Sequence, residues 1–150
     1  MSADEQLADF IARFTPEIAA DATAVLDRMR RRLPGAIELV YDNFNALVIG
    51  FCPSERASEA PFSIVVNPRR ISLCFLQGAA LDDPAGLLVG EGKQVRRIVL
   101  DRPEDLDAPG VQDLIDRALA ATEPWDPARP RRVEIRAVAA RRRPRQPTGA

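Results

Sequence analysis

The 150-residue chain has no histidine. Its absence removes the commonest general base, the Ser-His and Cys-His nucleophile pairs, and every His-ligated zinc or iron site. Lys93 is the only lysine among 21 basic residues. An enzyme built from this sequence would therefore work with carboxylates, Lys93, tyrosine or a bound cofactor. There are 2 cysteines, Cys52 and Cys74, each inside an apolar stretch. They make no disulfide framework and read as buried thiols that pack like small hydrophobes. Long hydrophobic runs are also missing. The apolar stretch at residues 46–49 is typical, and nothing approaches the roughly 20 residues a membrane span requires. The opening MSADEQLADF is acidic and helical in pattern, without the basic start and apolar stretch of a secretory signal. A cytoplasmic protein with no membrane partner is expected.

The composition is that of one ordinary domain, 46% hydrophobic and 29% charged. We assign residues 1–140 to a single domain and 141–150 to a basic tail. The net charge of −1 hides an asymmetry, because residues 129–145 hold eight arginines against the single acid Glu134, leaving about −8 on the rest. The tail RRRPRQPTGA has too few apolar residues to offset the entropy of ordering and is expected to be flexible. Arginines can touch phosphate backbones, but none here alternates with an aromatic residue that could stack on a base. A solvated tail is the plainer reading, and nucleic acid is not an expected partner.

Periodicity sets out the elements. Ser2 with Glu5 forms a capping-box pattern, followed by Leu7, Phe10, Ile11 and Phe14 at helical spacing. Thr15-Pro16-Glu17 repeats the start signal, and Ile18, Ala22, Val25, Leu26, Met29 and Leu33 form one stripe that stops at Pro34-Gly35. The period then changes to two. Ile37, Leu39 and Tyr41 alternate with Glu38 and Asp42, and Leu47, Ile49 and Phe51 repeat the pattern after the turn DNFN. Residues 62–66 and 71–75 form a second hairpin about Asn67-Pro68, residues 94–100 a fifth strand, and residues 103–110 an acidic loop. Val111, Leu114, Ile115, Ala118 and Leu119 mark another helix, and residues 132–138 can add a sixth strand. The expected fold is α+β: an antiparallel sheet of five to six strands with N-terminal and C-terminal helices packed over one face. Tyr41 lies on the apolar side of its strand, and Trp125 is expected to cap the core.

The stretch between the fourth and fifth strands, QGAALDDPAGLLVGEGKQVRR, concentrates the unusual residues. It is not a phosphate-binding P-loop. The position five before Gly92 is Leu87, Gln94 stands where Ser or Thr would follow Lys93, and a strand follows instead of a helix. A dinucleotide fingerprint fails as well, because no helix opens after Gly90-Glu91-Gly92. Glycines at 78, 86, 90 and 92 permit unusual backbone angles, and Lys93, Arg96 and Arg97 place positive charge beside them. That combination suits a small anion or carboxylate, against the alternative of a long connection pinned by Leu87 and Leu88. Asp82 and Asp83, with Glu91 as a third oxygen donor, raise a hard-cation reading, while Asp83-Pro84 is equally a turn starter.

The run YDNFNALVIGF, then SIVVNPRRISLCFLQGAALDDPAGLLVGEGKQVRRIVL, resembles the YdhG-like family of bacterial domains of unknown function, across roughly residues 7–140. Its most specific part is the order Gln-Gly-Ala, Leu-Asp-Asp-Pro, Leu-Leu, Gly-x-Gly-Lys and Arg from residue 75 to 97. The resemblance implies an α+β domain. It also implies that Asp82, Asp83, Pro84, Gly90, Gly92, Lys93 and Arg97 serve fold or function. Some members of that family resemble frataxin-like iron chaperones, so iron enters by resemblance alone, and no cofactor is otherwise predicted. The acids Asp4, Glu5, Asp9, Asp101, Glu104, Asp105 and Asp107 match no metal motif of the family.

Three readings follow. The first is a non-enzymatic module that binds a small molecule or protein partner on the concave side of the sheet near the loop from Asp82 to Arg97. Its candidate ligand-binding residues are Gly78, Asp82, Asp83, Gly90, Gly92, Lys93, Arg96 and Arg97. The second is an iron-binding chaperone, and the third an enzyme based on carboxylates or Lys93. A monomer or a homodimer paired through a strand edge is compatible with each.

Overall fold

The computed structural model describes residues 1–43 and 45–139. The expected tail at residues 141–150 lies outside the described residues. Helix α1 (Ala3–Ala12) starts where the Ser2 hydroxyl accepts the Glu5 N–H, and α2 (Pro16–Arg32) starts where Thr15 accepts the Ile18 N–H. Both caps are those that the start signals require. Helix α2 ends at Leu33, and the chain reverses through Gly35, whose φ of +81° is a conformation that side chains rarely adopt. A Cβ there would also stand 2.3 Å from the Asp126 carbonyl. The close approach is held from the far end of the chain. Trp125 donates its indole N–H to the Pro34 carbonyl at 3.0 Å, and Arg129 donates twice to that of Gly35.

Six strands follow the order β5-β4-β3-β2-β1-β6: β1 (Ile37–Asp42), β2 (Leu47–Cys52), β3 (Phe62–Val66), β4 (Ile71–Phe75), β5 (Arg96–Leu100) and β6 (Arg132–Val138). The four pairings from β1 to β5 are antiparallel, but β1 and β6 run parallel, so the sheet is mixed and not purely antiparallel. Parity explains the difference. Alternating turns make β5 run in the direction of β1, and α3 (Pro109–Ala120) carries the chain back to the starting end. The last strand therefore enters beside β1 in the same direction as β1. The third helix lies between strands and is not a terminal cap on the sheet.

The main core takes Leu7, Phe10, Ile11 and Phe14 from the first helix and its end, Val25, Leu26 and Met29 from α2, and Leu114 and Ile115 from α3. From the sheet it takes Val40, Leu47, Ile49, Phe51, Phe62, Ile64, Leu73 and Phe75. A fully buried side chain of this size is worth about 1.5–3 kcal/mol. Phe62 and Phe75 meet edge to face, with centroids 5.5 Å apart. Strand β1 departs from the expected orientation. Its apolar residues Ile37 and Leu39 belong to a second cluster with Cys52 and Ala60, and Tyr41 packs against it. Glu38 and Asp42 alternate with them on the side of Val40, where they are 1% and 0% exposed. Neither carboxylate is left bare. Arg30 of α2 binds Glu38 through two hydrogen bonds of 2.8 Å, and Arg13 reaches Asp42 at 3.3 Å. The acids are the helix-facing side of β1, and the apolar residues look the other way. No helix among the described residues is long and apolar enough to cross a membrane.

Candidate functional site

Because β1 turns Leu39 and Tyr41 away from the main core, the sheet has apolar side chains on both faces. The second face is built row by row from the register. Leu39 pairs with Gly50, Gly50 with Ser63, Ser63 with Cys74, and Cys74 with Arg97. Side chains directly opposite share a face, so this line crosses five strands on one side. Tyr41, Val48 and Val65 form the neighbouring row. These rows floor a cavity of about 320 Å³, closed at its other end by Ala57, Ala60, Leu76 and Val95. Val95 is 48% exposed, a large apolar side chain left at the rim. No carboxylate lines the hollow.

Gly50 gives the cavity its depth. It sits inside a central strand, where glycine weakens the sheet. Neither crowding nor backbone strain demands it: an added Cβ would meet only the Leu39 carbonyl at 3.7 Å and the Cys52 sulfur at 4.0 Å. Cys52 is fully buried, and its burial pushes the thiol up to about 11. Cys74 is only half-buried, which corrects the expectation of two buried thiols. Burial raises its pKa as well, against the opposing charge of Arg97 and a hydrogen bond from Ser63.

A second hollow, of about 450 Å³, adjoins the first and shares Val65 and Cys74 with it. Arg69, Arg70 and Arg97 line it, together with Asn67, Pro68 and Ser72. The hairpin that carries two of these arginines is locked. The Asn67 carboxamide oxygen accepts the N–H groups of both Arg69 and Arg70 at 2.8 Å.

The glycine-rich connection contributes little to either hollow beyond Val95 and its end at Arg97. Asp83 accepts the N–H groups of Leu87 and Leu88, both at 2.9 Å, and so shapes the turn. Asp82 is 90% exposed and lies 3.6 Å from Arg117 of α3. Arg96 donates to the carbonyls of Gly92 and Val95, closing the loop on itself. Gly78 is packed so tightly on Arg96 that a Cβ would lie 2.5 Å from the Arg96 Cβ, and Gly90 has a φ of +136°. Gly92 and Lys93 are exposed. Val89 pairs with Arg97 by two 2.9 Å backbone bonds, so the loop folds back along β5. Of the eight ligand-binding candidates, only Arg97 lines a hollow on the second face.

The residues that the sequence reading passed over are Tyr41, Val48, Gly50, Ser63, Val65, Cys74, Arg69 and Arg70. One signal was present. LVIGFC, FSIVV and ISLCF are close to continuously apolar, as strands covered on both faces are, and not strictly alternating. Among the described residues, no three of Cys, Asp and Glu converge as metal ligands would. Comparison of the chain with protein-family models, with curated proteins and with solved structures finds no match in any of the three.

Proposed function

We propose that the protein is a non-enzymatic binding module that takes a small ligand on the concave second face of its sheet. One observation carries the reading: a cavity of about 320 Å³, floored by apolar side chains and broken only by Tyr41, Ser63 and the two thiols. Small-molecule sites commonly have this character, a mostly apolar hollow of about 300–1,000 Å³ with a few placed polar groups. On this reading the three helices form one layer that completes the core on the other face and keeps the sheet rigid. The YdhG-like resemblance carries the same expectation of an α+β domain, and iron rests on that resemblance alone. No observation favours the iron or enzyme readings in particular, since Asp82 is solvent-exposed and the Asp83 carboxylate is engaged by its own loop.

Gly50→Val tests the proposal, with a melting curve of the variant to establish that it folds. The added methyl groups enter the hollow, and the nearest atoms leave room for the Cβ. In a thermal-shift screen against small apolar acids, alcohols and amines, a ligand at 100 times its Kd should stabilise the parent chain by about 2.7 kcal/mol. The shift should vanish in the variant. An equal shift in both proteins would place the ligand elsewhere and end the proposal.

A further inference from the structure

We infer that the ligand of this cavity is an amphiphilic anion, its apolar body over Gly50 and Ser63 and its anionic head held by Arg69, Arg70 and Arg97. The inference rests on the binding reading above and adds the chemical class. The distribution of charge carries it. Arg28, Arg30, Arg32, Arg117, Arg131 and Arg132 all stand in ion pairs with carboxylates. Arg96 and Arg129 are taken up by backbone carbonyls. Arg31, Arg69, Arg70, Arg97 and Arg102 are in no ion pair among the described residues, and of these Arg69, Arg70 and Arg97 come from two separate elements into one hollow that no carboxylate lines. Three cations gathered beside a low-dielectric wall concentrate positive potential, and that potential draws an anion.

The position of this charge makes the site amphiphilic. Val65 and Cys74 line both hollows, so the apolar floor passes directly into the arginine end. Cys74 sits opposite Arg97 in the β4·β5 register, so the row through Gly50 and Ser63 ends on a cation. The Asn67 turn fixes the backbone under Arg69 and Arg70, so less ordering is left to do when an anion arrives. Guanidinium groups suit a carboxylate head because their planar fork matches its two oxygens.

The test is calorimetric titration of the full chain with three probes that share one tail: decanoate and decyltrimethylammonium, each below its micelle-forming concentration, and decanol below its solubility limit. Decanoate should bind at least about tenfold tighter than decanol, the factor that one charge-assisted hydrogen bond supplies. Decyltrimethylammonium should bind weakest. Arg97→Glu and Arg70→Glu should each weaken decanoate by a similar factor while leaving decanol unchanged, and decanoate affinity should fall as salt is raised. Arg97→Gln, which adds no negative charge, should give a smaller loss in the same direction, and melting curves of each variant confirm folding. Decanol binding as tightly as decanoate, with both lost in Gly50→Val, would overturn the anion and leave the cavity as the binding site. Failure of every probe to bind, or binding indifferent to Gly50→Val, would overturn the cavity reading and this inference with it.

Discussion

The buried acids of β1 lean on arginines from the helix side, Arg30 closest to Glu38 and Arg13 at Asp42. Burial opposes charging the Arg30 guanidinium, but its hydrogen bonds to Glu38 and the nearby charges of Glu38, Asp4 and Asp27 more than offset this, and its pKa lies above the usual arginine value. Arg30→Ala would leave Glu38 buried without its principal partner, so urea denaturation should show a loss of about 3 kcal/mol. An Arg30→Leu, Glu38→Leu double variant should recover most of it, because removing both charges also removes the desolvation cost. The two thiols differ in the same local way. Cys52 titrates near 11 in the folded chain and lower when unfolded, so above the unfolded value the unfolded state loses its proton first. Stability from this group is complete below the unfolded value and declines between roughly pH 9 and 11. Cys52→Ala should flatten that part of the stability profile. With iodoacetamide at pH 8, Cys74 should be alkylated before Cys52, since it is half-exposed beside Arg97; mass mapping of the first adduct decides it.

At the scale of elements, the turn signals and the helix starts were legible because they act through bonds only a few residues long. Ser2, Thr15 and the Asn67 turn are local hydrogen-bond devices, and each is found where its spacing put it. The face of β1 was not legible. Alternation separates Ile37, Leu39 and Tyr41 from Glu38 and Asp42, but it cannot say which set meets the helices. Arg13 and Arg30 decide that, by neutralising the acids from the end of α1 and from α2. The long connection between β4 and β5 behaves as one structural unit. Asp83→Ala should release two loop N–H groups at a cost of about 1–3 kcal/mol, and limited proteolysis should then cut within residues 81–92 before the sheet is attacked. Gly35→Ala should cost more than a typical glycine replacement, because the added Cβ meets a carbonyl held by the 125–129 turn.

For the whole molecule, the pairing of β1 with β6 joins two segments far apart in the chain and turns β1 from an edge strand into an interior one. Truncation after residue 131 would remove Val133 and Ile135 from the core and leave the β1 edge with open backbone groups. A lower denaturation midpoint and concentration-dependent self-association, read by light scattering, are the expected results. The same global arrangement makes the site. Gly50, Ser63, Cys74 and Arg97 are spread over four strands and meet only because antiparallel register aligns them.

The sequence by itself determined the helix starts, the strand segments, the turns, the α+β class and the exclusion of histidine chemistry, since each follows from residue identity or short-range periodicity. Only the tertiary structure decided that the last strand runs parallel to the first, that Glu38 and Asp42 face inward, and that three arginines in no ion pair among the described residues line a hollow adjoining an apolar cavity. Those outcomes depend on which elements neutralise and cover one another. The physical reason is that hydrogen bonds within a turn act over a few residues of chain, whereas the choice of a sheet face is settled by burial and ion pairing between elements that meet only when folding is complete.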